Sequence, residues 1–197
     1  MICRSTLIGA VTLLALGQTA LANGRAPATM SVHSRTGHPN EIYSGTTFGL
    51  LISRDDGCSF RWVCEQNIGY AGAFDPKYAI DADGTIFATT YQGLRISRDQ
   101  GCSFVTATEA APPGPGRIAG LWVDAIAVPA SGHVWVATAD SAHANDIYKS
   151  TDHGETFVPM GLPSAVVWYK SISVARPDEQ RVWVTGYQVA GAPQPAA

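Results

Sequence analysis

Apolar and polar residues alternate along this chain in short runs, and the runs come in sets. The segments MSVHS from Met30, YAIDA from Tyr78, AIAVPA from Ala125 and SISVA from Ser171 each open a set. After a polar break come IYSGT from Ile42, IFATT from Ile86, VWVAT from Val134 and VWVTG from Val182, whose starts lie 44, 48 and 48 residues apart. A third run follows as GLLIS, GLRIS or DIYKS, and a fourth as FRWVC or FVPM. Val, Ile, Thr and aromatic residues at near period two suit strands half buried in a sheet, and no helical period competes with them after the N-terminal stretch. Between runs, Asp81–Gly84 (DADG) and Ala130–His133 (ASGH) supply the Asx and Gly residues that a tight hairpin requires.

Four short strands recurring every 40 to 50 residues are the signature of a β-propeller. The expected fold is therefore all-β, a propeller of four-stranded blades. Its blade units span approximately residues 30–65, 78–110, 125–162 and 171–190. The last unit dissolves into VAGAPQPAA where its third strand should begin, so the array holds about three and a half blades, fewer than the four to eight of a closed disc. An array that stops inside a unit exposes an unpaired sheet edge. The expectation is a truncated propeller, with self-association through that edge or through Cys102.

One octapeptide accompanies the repeat: SRDDGCSF at Ser53–Phe60, SRDQGCSF at Ser97–Phe104 and STDHGETF at Ser150–Phe157. It resembles the Asp-box (BNR) repeat of sialidases, sortilin-type receptors and photosystem II assembly-factor-like propellers. The matching positions are Ser53, Asp55, Gly57 and Phe60, then Ser97, Asp99, Gly101 and Phe104, then Ser150, Asp152, Gly154 and Phe157. Ser59, Ser103 and Thr156 keep a hydroxyl at the seventh place. The resemblance implies a turn between the third and fourth strands of each blade. In it the Asp accepts backbone N–H groups, the Gly takes the turn conformation and the aromatic packs between sheets. These residues are expected to be structural; a box carboxylate touching substrate is the lesser alternative.

The N-terminus reads as a secretory signal peptide over residues 1–22, with Arg4, the apolar Leu7–Leu16 and a small-residue cleavage site at Ala20–Ala22. Its apolar core is short for a membrane span, and no further span follows, so the expected location is extracytoplasmic: periplasm, cell surface or secreted. The chain carries 13 basic and 16 acidic residues, and loss of Arg4 makes the mature net charge about −4 with no basic stripe, which disfavours nucleic acid. Removal of Cys3 leaves Cys58, Cys64 and Cys102, an odd number for an oxidising compartment. Cys58 and Cys64 share one hairpin and are expected to form a disulfide. Cys102 is left free, intermolecular or paired outside this sequence.

Three loops offer room for function: Thr108–Gly120, Ala139–Asp146, and Glu65–Tyr78 with its Tyr70, Phe74 and Tyr78. Surface connection or packing between blades explains each of them. The five histidines fall at no ligand spacing, and DADG lacks the terminal acidic ligand of a calcium loop, so no metal and no cofactor is expected.

Two functional classes stand. The favoured one is a non-enzymatic binding or scaffold module whose partner is a protein or a glycan. The other is a sialidase-like glycoside hydrolase, which needs converging carboxylates or a tyrosine nucleophile. Sialidases also resemble one another in an Arg-Ile-Pro element and an arginine trio. Arg25–Pro27 (RAP) lies against the cleavage site, and Arg54, Arg95 and Arg98 sit in or beside box turns. No catalytic residue follows from the sequence.

Overall fold

The computed structural model describes residues 26–107, 116–176 and 178–189, and within them the four sets of runs become four antiparallel sheets in chain order. The first contains β1 (Thr29–Arg35), β2 (His38–Thr46), β3 (Gly49–Ser53) and β4 (Arg61–Cys64). The second contains β5 (Tyr78–Ile80), β6 (Ile86–Thr90), β7 (Gly93–Ser97) and β8 (Val105–Thr106). β9 (Val123–Ala127), β10 (Val134–Thr138), β11 (Ile147–Ser150) and β12 (Val158–Pro159) make the third. The fourth is two-stranded, β13 (Val167–Val174) with β14 (Val182–Gln188). Every strand pairs only with its neighbours in sequence, so each sheet is a meander closed by local turns. The signal-peptide segment, Arg25, residues 108–115 of the Thr108–Gly120 loop and the tail from residue 190 lie outside the described residues.

Strand alternation stacks the sheets in order. In the first sheet His33, Tyr43, Ile52 and Arg61 form one cross-strand row, and Val32, Ser44, Leu51 and Trp62 form the row beside it on the opposite face. The Tyr43 face meets the second sheet, where Tyr43, Leu50, Ile52 and Val63 pack with Tyr78, Ile86 and Phe104. Phe87, Leu94 and Ile96 of the second sheet pack likewise with Val123, Val134 and Phe157 of the third unit. Trp135, Ala137 and Ile147 then meet Ile172 and the half-buried Val182 and Val184 of the fourth. The β-branched and aromatic residues that mark these segments as strands also supply the apolar area that joins one sheet to the next, about 1.5–3 kcal/mol for each large side chain buried.

The three octapeptides occupy the turns after β3, β7 and β11, and their bonding repeats. In the second, Ser97 Oγ donates to Asp99 at 2.8 Å and accepts the Gly101 N–H at 2.7 Å. Asp99 also accepts the Ser103 N–H at 2.9 Å and its Oγ–H at 2.6 Å. Asp55 holds Ser59, and Asp152 holds Thr156, in the same way. The turn needs two successive left-handed residues. Asp56, Gln100 and His153 have φ of 57°, 66° and 57°, and the glycines after them have φ of 84°, 84° and 85°. A Cβ on Gly154 would also stand 3.0 Å from Ile96 and Phe87.

This bonding makes the turns acid-sensitive. Hydrogen bonds from the Ser103 hydroxyl and N–H, then from Ser97, draw the Asp99 pKa down to about 2. Ser59 and Ser53 lower Asp55 in the same manner, and at Asp152 the bonds from Ser150 and Thr156 outweigh a burial that alone would raise it. A carboxylate depressed on folding stabilises the fold above its unfolded pKa, and that contribution disappears as pH falls through the folded value. Stability measured by urea midpoint is expected to fall between about pH 4 and pH 2, and Asp99→Asn to flatten part of that slope while lowering the midpoint at neutral pH. A slope unchanged by Asp99→Asn contradicts the assignment.

Three sequence expectations need correction. Cys58 and Cys64 do not pair; both are free thiols, as is Cys102. Cys58 lies in the exposed turn and Cys64 at the far end of β4, and the three-residue rise from Arg61 to Cys64 carries it about 10 Å along the strand, beyond disulfide reach. The connector after β4 is not wholly irregular, because Glu65–Ile68 (α1) forms one helical turn ended by Gly69 at φ 100°. Finally, Phe104 and Phe157 pack against the preceding sheets, but Phe60 meets no other sheet among the described residues and is exposed.

Candidate functional site

The meander sorts the turns into two faces. Turns between the first and second strands of a sheet and the octapeptides lie at one end; turns between the second and third strands and the connectors from sheet to sheet lie at the other.

On the octapeptide face, contacts run from unit to unit. Arg61 donates to the Gln100 carbonyl, and Arg98 donates to the His153 carbonyl at 3.1 Å and pairs with Glu155 at 2.7 Å. Arg35 reaches the Ala82 carbonyl at 2.9 Å. His153 Nδ1 lies 2.9 Å from the buried Asp81 carboxylate, which raises the His153 pKa by favouring the imidazolium. Asp81, Asp83 and His153 bring three ligand-capable atoms within 4.8 Å of one another. These groups are already engaged, Asp81 by the Ala82 N–H and His153, and Asp83 by the Thr85 N–H. Their evident work is to pin the second unit to the third. A groove of about 500 Å³ opens beside them between the ends of β5, β9 and β13, with Asp81, Arg176 and Glu179 on its walls.

The opposite face carries a chain of aromatic rings. Phe74, from the connector before β5, lies 4.4 Å from Tyr91 in the β6–β7 turn, centroid to centroid. Tyr91 lies 4.9 Å from Trp122, which immediately precedes β9. Trp122 meets Trp168 of β13 at 5.4 Å, and Trp168 meets Tyr187 of β14 at 5.7 Å. The ladder thus crosses the second, third and fourth units from the buried Phe74 to Tyr187, with Tyr91 and Tyr187 half exposed.

Beneath the ladder sits a compact charge cluster. The buried Asp124 carboxylate, on β9, pairs with Lys77 at 3.3 Å and with Lys170 of β13. Lys77 also donates to the Asp124 carbonyl and, at 2.6 Å, to the Lys170 carbonyl, so its three donors have three acceptor atoms. The Lys170 ammonium stands 4.9 Å from the centre of the Trp122 ring and 5.9 Å from that of Tyr187. Burial lowers the pKa of both lysines, and the charge of Lys77 lowers that of Lys170 further. Two ammonium groups against one carboxylate leave a surplus positive charge in contact with the aromatic rings.

Two carboxylates of the Ala139–Asp146 loop are held by backbone. Asp140 accepts the N–H groups of Trp122, Ala142 and His143, and Asp146 accepts those of Ile147 and Leu162. Asn145 is buried and donates to the Asp140 and Val167 carbonyls. Asn145 thus braces the third unit against the fourth, while Ser141–Ala144 at the tip of the loop stay exposed.

No family profile matches the chain, and no curated protein matches it either. Among solved structures, the crystal structure of an ancestral GH74 enzyme superposes with a TM-score of 0.60 at 16% identity, over 79% of this chain and 21% of that one. The fold is an incomplete β-propeller. At this identity the likeness establishes the fold alone, and the chain spans about a fifth of the enzyme's length. The four sheets are its blades, in the order that the repeat predicts.

The twelve octapeptide residues named from the sequence all lie on the face opposite the ladder, and each Ser–Asp pair closes its own turn. Of the three loops singled out, Glu65–Tyr78 packs Tyr70, Phe74 and Tyr78 between the first two blades, and only Phe74 extends into the ladder. Tyr91, Trp122, Trp168, Tyr187, Lys77 and Lys170 had escaped notice. They come from a turn, a connector and two different strands, so no spacing links them. The available signal was an aromatic in the second turn, Phe48 in the first unit and, one repeat position earlier, Tyr91 in the second.

Proposed function

We propose that this chain is a non-catalytic glycan-binding propeller module of the Asp-box type, acting outside the cytoplasm. The observation that carries the reading is the Phe74–Tyr91–Trp122–Trp168–Tyr187 ladder with the Lys170 ammonium against its middle. Aromatic rings offer apolar faces to the C–H surfaces of sugar rings while their polar neighbours meet the hydroxyls. The surplus charge at Lys170 favours a sugar carrying a carboxylate. The Asp-box assignment is supported by the Ser–Asp–Gly bonding common to the three turns, and the export by the composition of residues 1–22. Catalysis is disfavoured because Asp124, Asp140 and Asp146 are tied to lysines or to backbone N–H groups, whereas glycoside hydrolysis needs two carboxyl groups facing the scissile bond.

Titration calorimetry with cellohexaose and with hexagalacturonate tests this. Saturable binding is expected, tighter for the acidic oligosaccharide, with Tyr91→Ala and Tyr187→Ala each weakening it roughly tenfold. No saturable binding to either sugar overturns the reading. Release of new reducing ends on prolonged incubation favours the hydrolase alternative instead.

A further inference from the structure

The internal repeat shows what covers a blade face, and two blade faces are uncovered. At the first junction Phe104, from the octapeptide of the second blade, packs in one cluster with Tyr43 of the first. At the second, Phe157 packs with Phe87. Each of these two junctions thus joins an octapeptide aromatic to the aromatic at the second position of the preceding blade's IYSGT or IFATT run, on its second strand. Tyr43, Phe87, Trp135 and Trp183 occupy that second-strand position, and the first three are buried by the blade that follows.

The two unmatched members of this series are Phe60 and Trp183. Phe104 and Phe157 are 7% and 5% exposed, but Phe60 is 48% exposed and Trp183 58%. Each lies on an open sheet face. Met30 and Val32 on β1 and Trp62 on β4, all exposed, share with Phe60 the side of the first blade that points away from the second. Trp183 sits with Ser173 and Thr185 on the side of β13 and β14 that points away from Val182 and Val184, which pack on the third blade. Among the described residues, no second-strand aromatic of another blade covers the first face, and no octapeptide aromatic covers the second.

We infer that a second copy of this chain docks head to tail on the first, so that Phe60 of each copy seats against Trp183 of the other. The interface continues the stacking already present at the three internal junctions. Two copies bring six four-stranded sheets and two two-stranded ones, about seven blades by strand content and within the four to eight at which propellers close, so the head-to-tail contact ends in a ring instead of a filament.

Light scattering of the purified chain at roughly 50 µM tests the inference, and the expected mass is that of a dimer. Phe60→Glu and Trp183→Glu are each expected to give monomers with an unchanged far-ultraviolet spectrum, both side chains being exposed. An equal mixture of the two variants is expected to regain dimers, because one of its two junctions brings together an intact Phe60 and an intact Trp183. Thr185→Arg, on the same face as Trp183, serves as a second variant should Trp183→Glu disturb folding, and it is expected to complement Phe60→Glu in the same way. A monomeric wild type overturns the inference. So does a dimer indifferent to these substitutions, a mixture that stays monomeric, or open filaments that lengthen with concentration.

Discussion

Replacing Phe87 by alanine is expected to cost about 3–5 kcal/mol, the range for emptying a fully buried aromatic site. Phe87 is completely enclosed, and it is the surface on which the third blade's octapeptide rests: its ring belongs to the cluster of Phe157, Val134 and Val136 and approaches Gly154. Neighbouring strands are hydrogen-bonded within their own sheets and cannot collapse freely into the space, so a cavity should persist and the cost should lie in the upper part of that range. Trp183→Ala is the internal control. It removes the aromatic at the same repeat position, from a site left exposed among the described residues, and in dilute protein should shift stability by no more than about 0.5 kcal/mol. Urea unfolding of both variants reads the contrast. Equal losses would mean that the second-strand aromatic acts within its own sheet and that stacking between blades is not its role.

Asp124→Ala is the second large expected effect. The carboxylate is buried, and its removal leaves the Lys77 and Lys170 ammonium groups facing each other without a counter-charge. Breaking a wholly buried pair costs about 3–5 kcal/mol; here the lysine side chains keep 42% and 36% of their exposure, so screening by water reduces the expectation to about 1–3 kcal/mol. The repulsion gives the test its specificity. Lys170→Met in the Asp124→Ala background should recover part of the loss, since it removes one of the two like charges, whereas Lys170→Met alone should be mildly destabilising. A double-mutant cycle with no coupling would show that Asp124 stabilises β9 in some other way.

The blade order was legible because it is written locally. Val, Ile and aromatic runs fix the strands, Gly84 and Gly132 fix turns, and a Ser-x-Asp-x-Gly pattern closes each octapeptide within eight residues. The disulfide misled because Cys58 and Cys64 are near in sequence, while an extended strand places nearby residues far apart. The helical turn at Glu65–Ile68 was too short to leave a period. The ladder was harder for a different reason: Trp122 and Trp168 are neighbours only because blades three and four stack, and stacking is a relation between units. Lys77 and Lys170 likewise converge on Asp124 from three different blades. What one unit does with its own residues could be read along the chain, and what units do together could not.

The octapeptides hold a further consequence. Their closing bonds use the first, third, fifth and seventh positions, so the side chains at the second, fourth and sixth are not used in closing the turn; the first two copies keep Arg and Cys at the second and sixth and differ at the fourth (Asp56, Gln100), while the third departs at all of them with Thr151, His153 and Glu155. The side chains of Arg98, His153 and Glu155, all at these positions, reach across to adjacent blades. The shared positions make the units interchangeable, and the divergent ones act as addresses. A chain of near-identical sheets risks docking out of turn during folding; a pairing such as His153 with Asp81 marks one neighbour as correct and leaves a misplaced blade with an unanswered charge.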